Sequence, residues 1–189
     1  MTLANDGRIV RLYHGSDMAI ERPDVFHNTG FADLGVGFYL TDDEDAAKNR
    51  ARRRARVSGS PAGIVSVYDL DASHVPWAVW GVERPLLEPH ELGKPFGLRF
   101  EKSLPGIVAW ANYIKSCRQG DTSIEGLGKP AIVRAWVATE EVEMVCSGFV
   151  TADDLAEFID PEELVVQYCL LDQGILDGAL TFIGAETVG

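Results

Sequence analysis

The sequence predicts a mixed α+β domain spanning residues 1–189, and three observations predict it. Short β-branched and aromatic runs, each bounded by glycine, proline or polar turn residues, recur from Ile9 to Ile183. Two longer stretches, 43–57 and 104–117, carry helix signals instead. No repeat, low-complexity tract or linker divides the chain, and 189 residues suit one domain with its own core. A 46% hydrophobic and 24% charged composition is that of an ordinary globular protein, so neither disulfides nor metals are needed to hold it. The formal net charge of -12 and pI near 4.7 argue against broad, nonspecific nucleic-acid binding. A local basic face remains compatible with them.

Taken in order, Ile9-Val-Arg-Leu-Tyr13 opens the first strand, which is expected to end in an exposed His14-Gly15-Ser16 corner. An irregular crossing with Pro23 and Gly30 follows. It leads to Gly35-Val36-Gly37, a glycine-loosened loop, and then to a strand through Phe38-Tyr39-Leu40-Thr41. Thr41 is the candidate N-cap of the 43–57 helix, with Glu44 in the capping-box position, acids at its start and arginines at its end. Residues 63–70 alternate as a strand. The stretch with Trp77, Trp80, Pro85, Pro89 and Pro95 is proline-broken and predicts turns and loop; its two tryptophans, like Trp110 and Trp136, read as core, and of the four they are the ones placed to line a cleft wall. Residues 104–117 place Ile107, Val108, Trp110, Ala111 and Ile114 at helical spacing. Residues 119–128 read as turn, 131–137 and 142–146 as strands, and Thr151 caps a short acidic helix stopped near Pro161. Residues 164–170 form a β run carrying one polar residue, Gln167, and a last strand covers 179–183.

Cys117, Cys146 and Cys169 are an odd count without CxxC spacing, which favours a reducing cytoplasm. The four histidines are scattered, and no metal-ligand spacing occurs. The first residues lack a cationic, then apolar, leader pattern, and no run approaches the ~20 apolar residues of a membrane span. A cytoplasmic protein without membrane contact is expected.

His14, Gly15 and Ser16 at one strand end face Gly35, Gly37 and Tyr39 at the next, and together suggest a ligand cleft. Tyr13-His14-Gly15-Ser16, the loop, Gly35-Val36-Gly37-Phe38-Tyr39-Leu40-Thr41-Asp42 and the alanine-rich helix behind it resemble the ADP-ribosyltransferase superfamily. The likeness is to its diphtheria-toxin and poly-ADP-ribose-polymerase branch, marked by His, Tyr and Glu on three strands. More closely, the pattern resembles a bacterial family labelled a domain of unknown function, which ends in a Gln-bearing strand and a short amphipathic segment. Residues 166–169 and 179–183 occupy that place. The likeness is good over roughly residues 10–70 and fair over 160–184.

The resemblance implies a split β-sandwich of two packed, antiparallel-rich sheets with NAD, as substrate, in the cleft between them. It implies that His14 holds the adenosine-side ribose, that the Gly15 backbone holds the carboxamide with Ser16 and Gly37 nearby, and that Tyr39 stacks on nicotinamide. The catalytic position falls on Gln167. A carboxylate there would stabilise the oxocarbenium character that develops as the glycosidic bond breaks; Gln167 can hold a hydroxyl but brings no charge. Neither polymer elongation nor simple glycohydrolase activity is therefore expected, whereas single-unit transfer or binding without turnover fits. Glu140, Glu141 or Glu143 is a substitute acid by composition.

The implied activity is transfer of one ADP-ribose unit to a macromolecular acceptor, protein or nucleic acid, by a toxin neutralised by a small antitoxin protein. Two rivals share the cleft: a binding module for NAD or ADP-ribose without turnover, and an NAD-dependent RNA 2′-phosphotransferase. Each motif residue also has a plain reading. His14 fits a hydrogen-bonded turn, Tyr39 a core strand, and Ser16 an ST-turn. Gln167 fits either a bond to backbone across the sheet or a place in the cleft. The run Lys48-Asn49-Arg50-Ala51-Arg52-Arg53-Arg54-Ala55-Arg56 is either a solvated helix face or a docking surface for phosphates or an acidic partner. Cys169, two residues beyond Gln167, reads as a small core filler.

Overall fold

The structure, a computed structural model, describes residues 9–26, 32–81 and 87–189. Gly30 and Pro85 of the sequence reading lie outside the described residues. Among the described residues there are eight strands: β1 (Val10–Ser16), β2 (Phe38–Thr41), β3 (Gly63–Leu70), β4 (Trp77–Trp80), β5 (Gly97–Phe100), β6 (Ile132–Trp136), β7 (Val166–Leu170) and β8 (Leu180–Val188). Five helices accompany them: α1 (Glu44–Ser58), α2 (Leu104–Arg118), α3 (Glu140–Cys146), α4 (Ala152–Ala156) and α5 (Gln173–Ala179). The fold is mixed α+β, with one sheet in the order β4-β5-β6-β7-β2-β1-β3-β8. β4–β5 and β5–β6 pair in parallel, and the other pairs among the described strands are antiparallel.

The two packed sheets expected from the resemblance are not what these strands form. β2 pairs with β7 from Phe38↔Leu170 to Thr41↔Gln167, and this ladder joins the two halves into a continuous sheet. Cross-strand partners share a face, so Tyr13, Thr41, Gln167 and Ala135 form one row across β1, β2, β7 and β6. Helices cover that face at both ends of the sheet. At one end α1 lies on β1 and β3 through Ala47, Ala51 and Ala55, all buried. Its backbone approaches so closely that a Cβ at Gly15 would stand 2.0 Å from the Ala47 carbonyl oxygen, and one at Gly63 2.5 Å from the Ala51 carbonyl carbon. At the other end α2, α3 and α4 pack Ile107, Trp110, Val142 and Leu155 against Leu98, Val133, Ala135 and Cys169. The opposite face carries Leu12, Phe38, Leu40, Tyr68, Ile132, Tyr168 and Leu170 beneath Val25, Val75 and Leu176.

Several sequence expectations need correction. The His14-Gly15-Ser16 segment is no exposed corner: it continues β1, paired as His14↔Ser66, Gly15↔Val65 and Ser16↔Ile64. Thr41 does not cap α1. Asp43 does, accepting from the Ala46 amide at 2.9 Å, while Thr41 Oγ1 donates to the Val166 carbonyl at 2.7 Å and so ties β2 to β7. Residues 142–146 are helical because Val142 and Val145, three apart, bury on one face and Glu140 and Glu141 suit the positive helix start. The proline-broken stretch contains β4 and leads to β5, since Pro76 and Pro95 flank the strands rather than interrupt them. Gly97 leaves room for the Trp77 ring, whose nearest carbons lie 2.5–2.8 Å from where its Cβ would be. Trp77 and Trp80 thus belong to the edge strand β4, where Trp80 stacks on Phe100 at 6.1 Å, and neither lines a wall of the cleft that holds His14. The last strand runs further than expected, to Val188, behind the unexpected α5.

Candidate functional site

Where α1 stops and the α2–α4 layer has not yet begun, the middle of the sheet is uncovered. The gap is a cleft of about 590 Å³ floored by β1, β2 and β7. His14, Gly15, Tyr39, Thr41 and Gln167 line it; α1 walls one side with Ala46, Ala47, Arg50 and Arg53, and residues 137–139 and 163–165 wall the other. Three residues singled out from the sequence, His14, Tyr39 and Gln167, therefore come together from three adjacent strands. Ser16 and Gly37 do not line this cleft. Ser16 is buried and donates to the Asp17 carboxylate at 3.2 Å. Gly37 has a packing reason for lacking a side chain, because its Cβ would stand 2.6 Å from the Leu170 carbonyl oxygen and 2.7 Å from Cys169 Sγ.

The His14 ring is held on both sides. Its Nδ1 lies 2.7 Å from the Tyr39 carbonyl oxygen, and since a carbonyl only accepts, Nδ1 carries the proton. The ring also stacks on Phe38 at 4.7 Å. Tyr39 packs its ring against the core and uses its hydroxyl as a clip: it donates to the Gly35 carbonyl at 2.7 Å and accepts from the Leu34 amide at 3.0 Å. Burial pushes the Tyr39 phenol far above its usual range, so it stays protonated at any working pH. A second cavity of about 900 Å³ lies beyond the clipped segment, sharing Ala32 as a wall but holding none of His14, Tyr39 and Gln167.

Gln167 satisfies both readings made of it. It lines the cleft while only 8% exposed, and its Nε2 donates to the Trp136 carbonyl at 2.9 Å. That bond accounts for a buried amide in an apolar strand and fixes which way it points. Glu140, Glu141 and Glu143 do not line the cleft; they sit on α3, where Glu143 pairs with Arg118 at 2.6 Å. Two acids that sequence reasoning missed do line it. Asp33 is held 2.6 Å from Arg118, whereas Glu163 is exposed on the turn before β7. Glu163 lies four residues before Gln167, in the Pro161-Glu162-Glu163 turn, and that turn was the available signal.

The basic run of α1 divides by helix face. Lys48 pairs with Glu44 and, at 3.6 Å, with Glu186, and Arg52 Nε donates to the Gly189 carbonyl at 2.7 Å. Arg50 and Arg53, three residues apart, instead line the cleft. Arg50 keeps much of its surface in water, yet partial burial first, then repulsion from Arg53 and Arg54, lower its pKa. That repulsion would be relieved by an anion. Cys169 is fully buried in the core and, like Cys117 and Cys146, unbridged; burial pushes its thiol up, as suits a filler.

No helix among the described residues is long and apolar enough to cross a membrane. No curated protein and no solved structure matches the chain. Residues 10–83, which contain both the Tyr13–Ser16 and Gly35–Thr41 motifs, match the profile of a family described as "Protein of unknown function (DUF3990)".

Proposed function

We propose that the cleft binds NAD and transfers its ADP-ribose unit to a macromolecular acceptor, and that the chain is a remote relative of the ADP-ribosyltransferases. The observation that supports this reading is the convergence of His14, Tyr39 and Gln167 from β1, β2 and β7 on one cleft with a paired-arginine wall. In this reading His14 holds the adenosine-side ribose, the Tyr39 ring faces nicotinamide, and Arg50 and Arg53 meet the diphosphate. The bond from nicotinamide nitrogen to ribose C1 breaks and its electron pair leaves with neutral nicotinamide. The acceptor then bonds C1 and gives up its proton. Gln167 orients a ribose hydroxyl, and Glu163 supplies the negative charge that Gln167 lacks. The toxin role with a small neutralising partner belongs to the same proposal.

Gln167 also favours a second reading. An uncharged amide already bonded to the Trp136 carbonyl suits holding NAD or ADP-ribose without turnover. Nicotinamide release from NAD, with and without cell lysate as acceptor, separates the two. Lysate-dependent release is expected from the wild type, and it should fall by about tenfold or more in His14→Ala, Gln167→Ala and Glu163→Gln. Calorimetric binding of NAD without release identifies the binding module. Neither binding nor release removes NAD from the account of this cleft.

A further inference from the structure

Charge is divided along this chain. All 17 lysines and arginines lie at or before Arg134, together with 17 of the 29 acids. The remaining acids stand among residues 135–189 without one basic partner in that segment, and they account for the whole formal charge of -12. Within that segment α3, α4 and the turns beside them also carry apolar side chains that the core does not use. Phe149 and Phe158 flank α4 at its two ends and are 83% and 81% exposed, and Met144 on α3 is 43% exposed. Between α4, α2 and the end of β4 runs a groove of about 550 Å³. Trp80, Val108, Ala109 and Ala156 line it, Leu104 stands at its edge 58% exposed, and Asp153 and Glu157 are its carboxylates. Those two acids are four residues apart, hence on one side of the α4 turn. Lys102, next to α2, is engaged by Glu162 at 2.6 Å.

We propose that this groove docks a cationic, amphipathic helix of a partner protein. Its apolar floor calls for aliphatic side chains, and the Asp153 and Glu157 carboxylates match lysine or arginine on the flanks of such a helix. The same sign of charge opposes a second copy of this chain presenting the same face. It also opposes nucleic-acid phosphates and anionic lipid. Phe149 and Phe158 extend the contact beyond the groove and supply the exposed aromatic anchors that interfaces favour. The surface is separate from the His14–Gln167 cleft, so the proposal stands whether or not that cleft turns over NAD.

The test uses the full chain and two short helical peptides with identical leucine stripes, one with lysine and one with glutamate on the polar face. Isothermal titration is expected to give micromolar binding of the lysine peptide and none of the glutamate peptide. Replacing both Asp153→Asn and Glu157→Gln should weaken the lysine peptide by about tenfold, and Phe158→Ser should also weaken it. A charge-matched control, Glu21→Gln with Glu88→Gln, changes surface acids remote from α4 in sequence and should leave binding within about twofold. Both residues are outside the groove. Equal weakening by the two double variants would reduce the effect to overall charge and overturn the site, as would a lysine peptide that fails to bind the wild type. Circular dichroism of each surface variant checks that the fold is kept.

Discussion

The two ends of the sheet are covered by opposite means. Over β1 and β3 the covering helix is poor in apolar bulk. α1 offers only the methyls of Ala47, Ala51 and Ala55, and the strands answer with no side chain at Gly15 and Gly63, so backbone lies on backbone. Over β4, β5 and β6 the helices stand off on large rings. Trp110 meets Trp136 edge-on at 5.5 Å and bonds its carbonyl, and Phe100 packs with Trp80 and Tyr113. Close approach leaves the arginines of α1 at the sheet surface, where Arg50 and Arg53 reach the cleft. The aromatic half rises above the sheet on bulk and gives the cleft its second wall. The cleft is the seam between a backbone-packed half and a ring-packed half, and the residues proposed to bind sit on the strands beneath that seam.

The ring-packed half should suffer most from loss of volume. Trp110 is fully buried, so Trp110→Ala should cost about 3–5 kcal/mol and leave the Trp136 carbonyl without that donor. Chemical denaturation followed by circular dichroism measures it, and a loss near zero would mean that this layer does not hold the fold. The backbone-packed half should instead fail on gain of volume. Gly15→Ala adds one methyl where 2.0 Å separates it from the Ala47 carbonyl, and α1 must lift. The expected cost is at the upper end of overpacking, about 3 kcal/mol, with loss of any ligand held by Arg50 and Arg53. Gly178, which has open space around it, is the control, because Gly178→Ala meets no atom. If Gly15→Ala proved as mild as Gly178→Ala, the contrast between the two halves would be lost.

This contrast also explains what could be read in the sequence. Residues 63–70 and 43–57 were legible because alternation and a strong helix pattern each run long enough to declare a period. The ring-packed half was less legible. Residues 142–146 are too few for β and helical periods to differ, and the pairing of β4 with β5 joins segments on either side of a proline-rich excursion. At the cleft, His14, Tyr39 and Gln167 announced themselves through their neighbours in sequence. Asp33 did not, because it meets Gln167 only once β2 pairs with β7, and Glu163 was marked by nothing but the turn four residues before Gln167. The resemblance implies that Ser16 and Gly37 sit near a ligand, and Ser16 alone also fits an ST-turn; the local structure uses both inside the protein, as a buried hydroxyl and as clearance for β7.

The smallest expected effect tests the seam itself. Tyr39 stands on β2 between the two halves, and its hydroxyl joins the Gly35 carbonyl and the Leu34 amide in a segment that separates the cleft from the larger cavity. Tyr39→Phe keeps the ring, and with it the packing and any aromatic face offered to a ligand, but removes both bonds. The cost should be about 1–2 kcal/mol, below either change above. Its local signature should be larger than its global one: the Leu34 amide should exchange with solvent about tenfold faster, while amides in β3 hold their protection. Unchanged exchange at Leu34 would mean that the segment is held by its own packing, with Leu34 already fully buried, and that the two cavities are kept apart without the clip. Faster exchange at Leu34 with retained ligand binding would separate the two duties of Tyr39, the ring serving the cleft and the hydroxyl serving its wall.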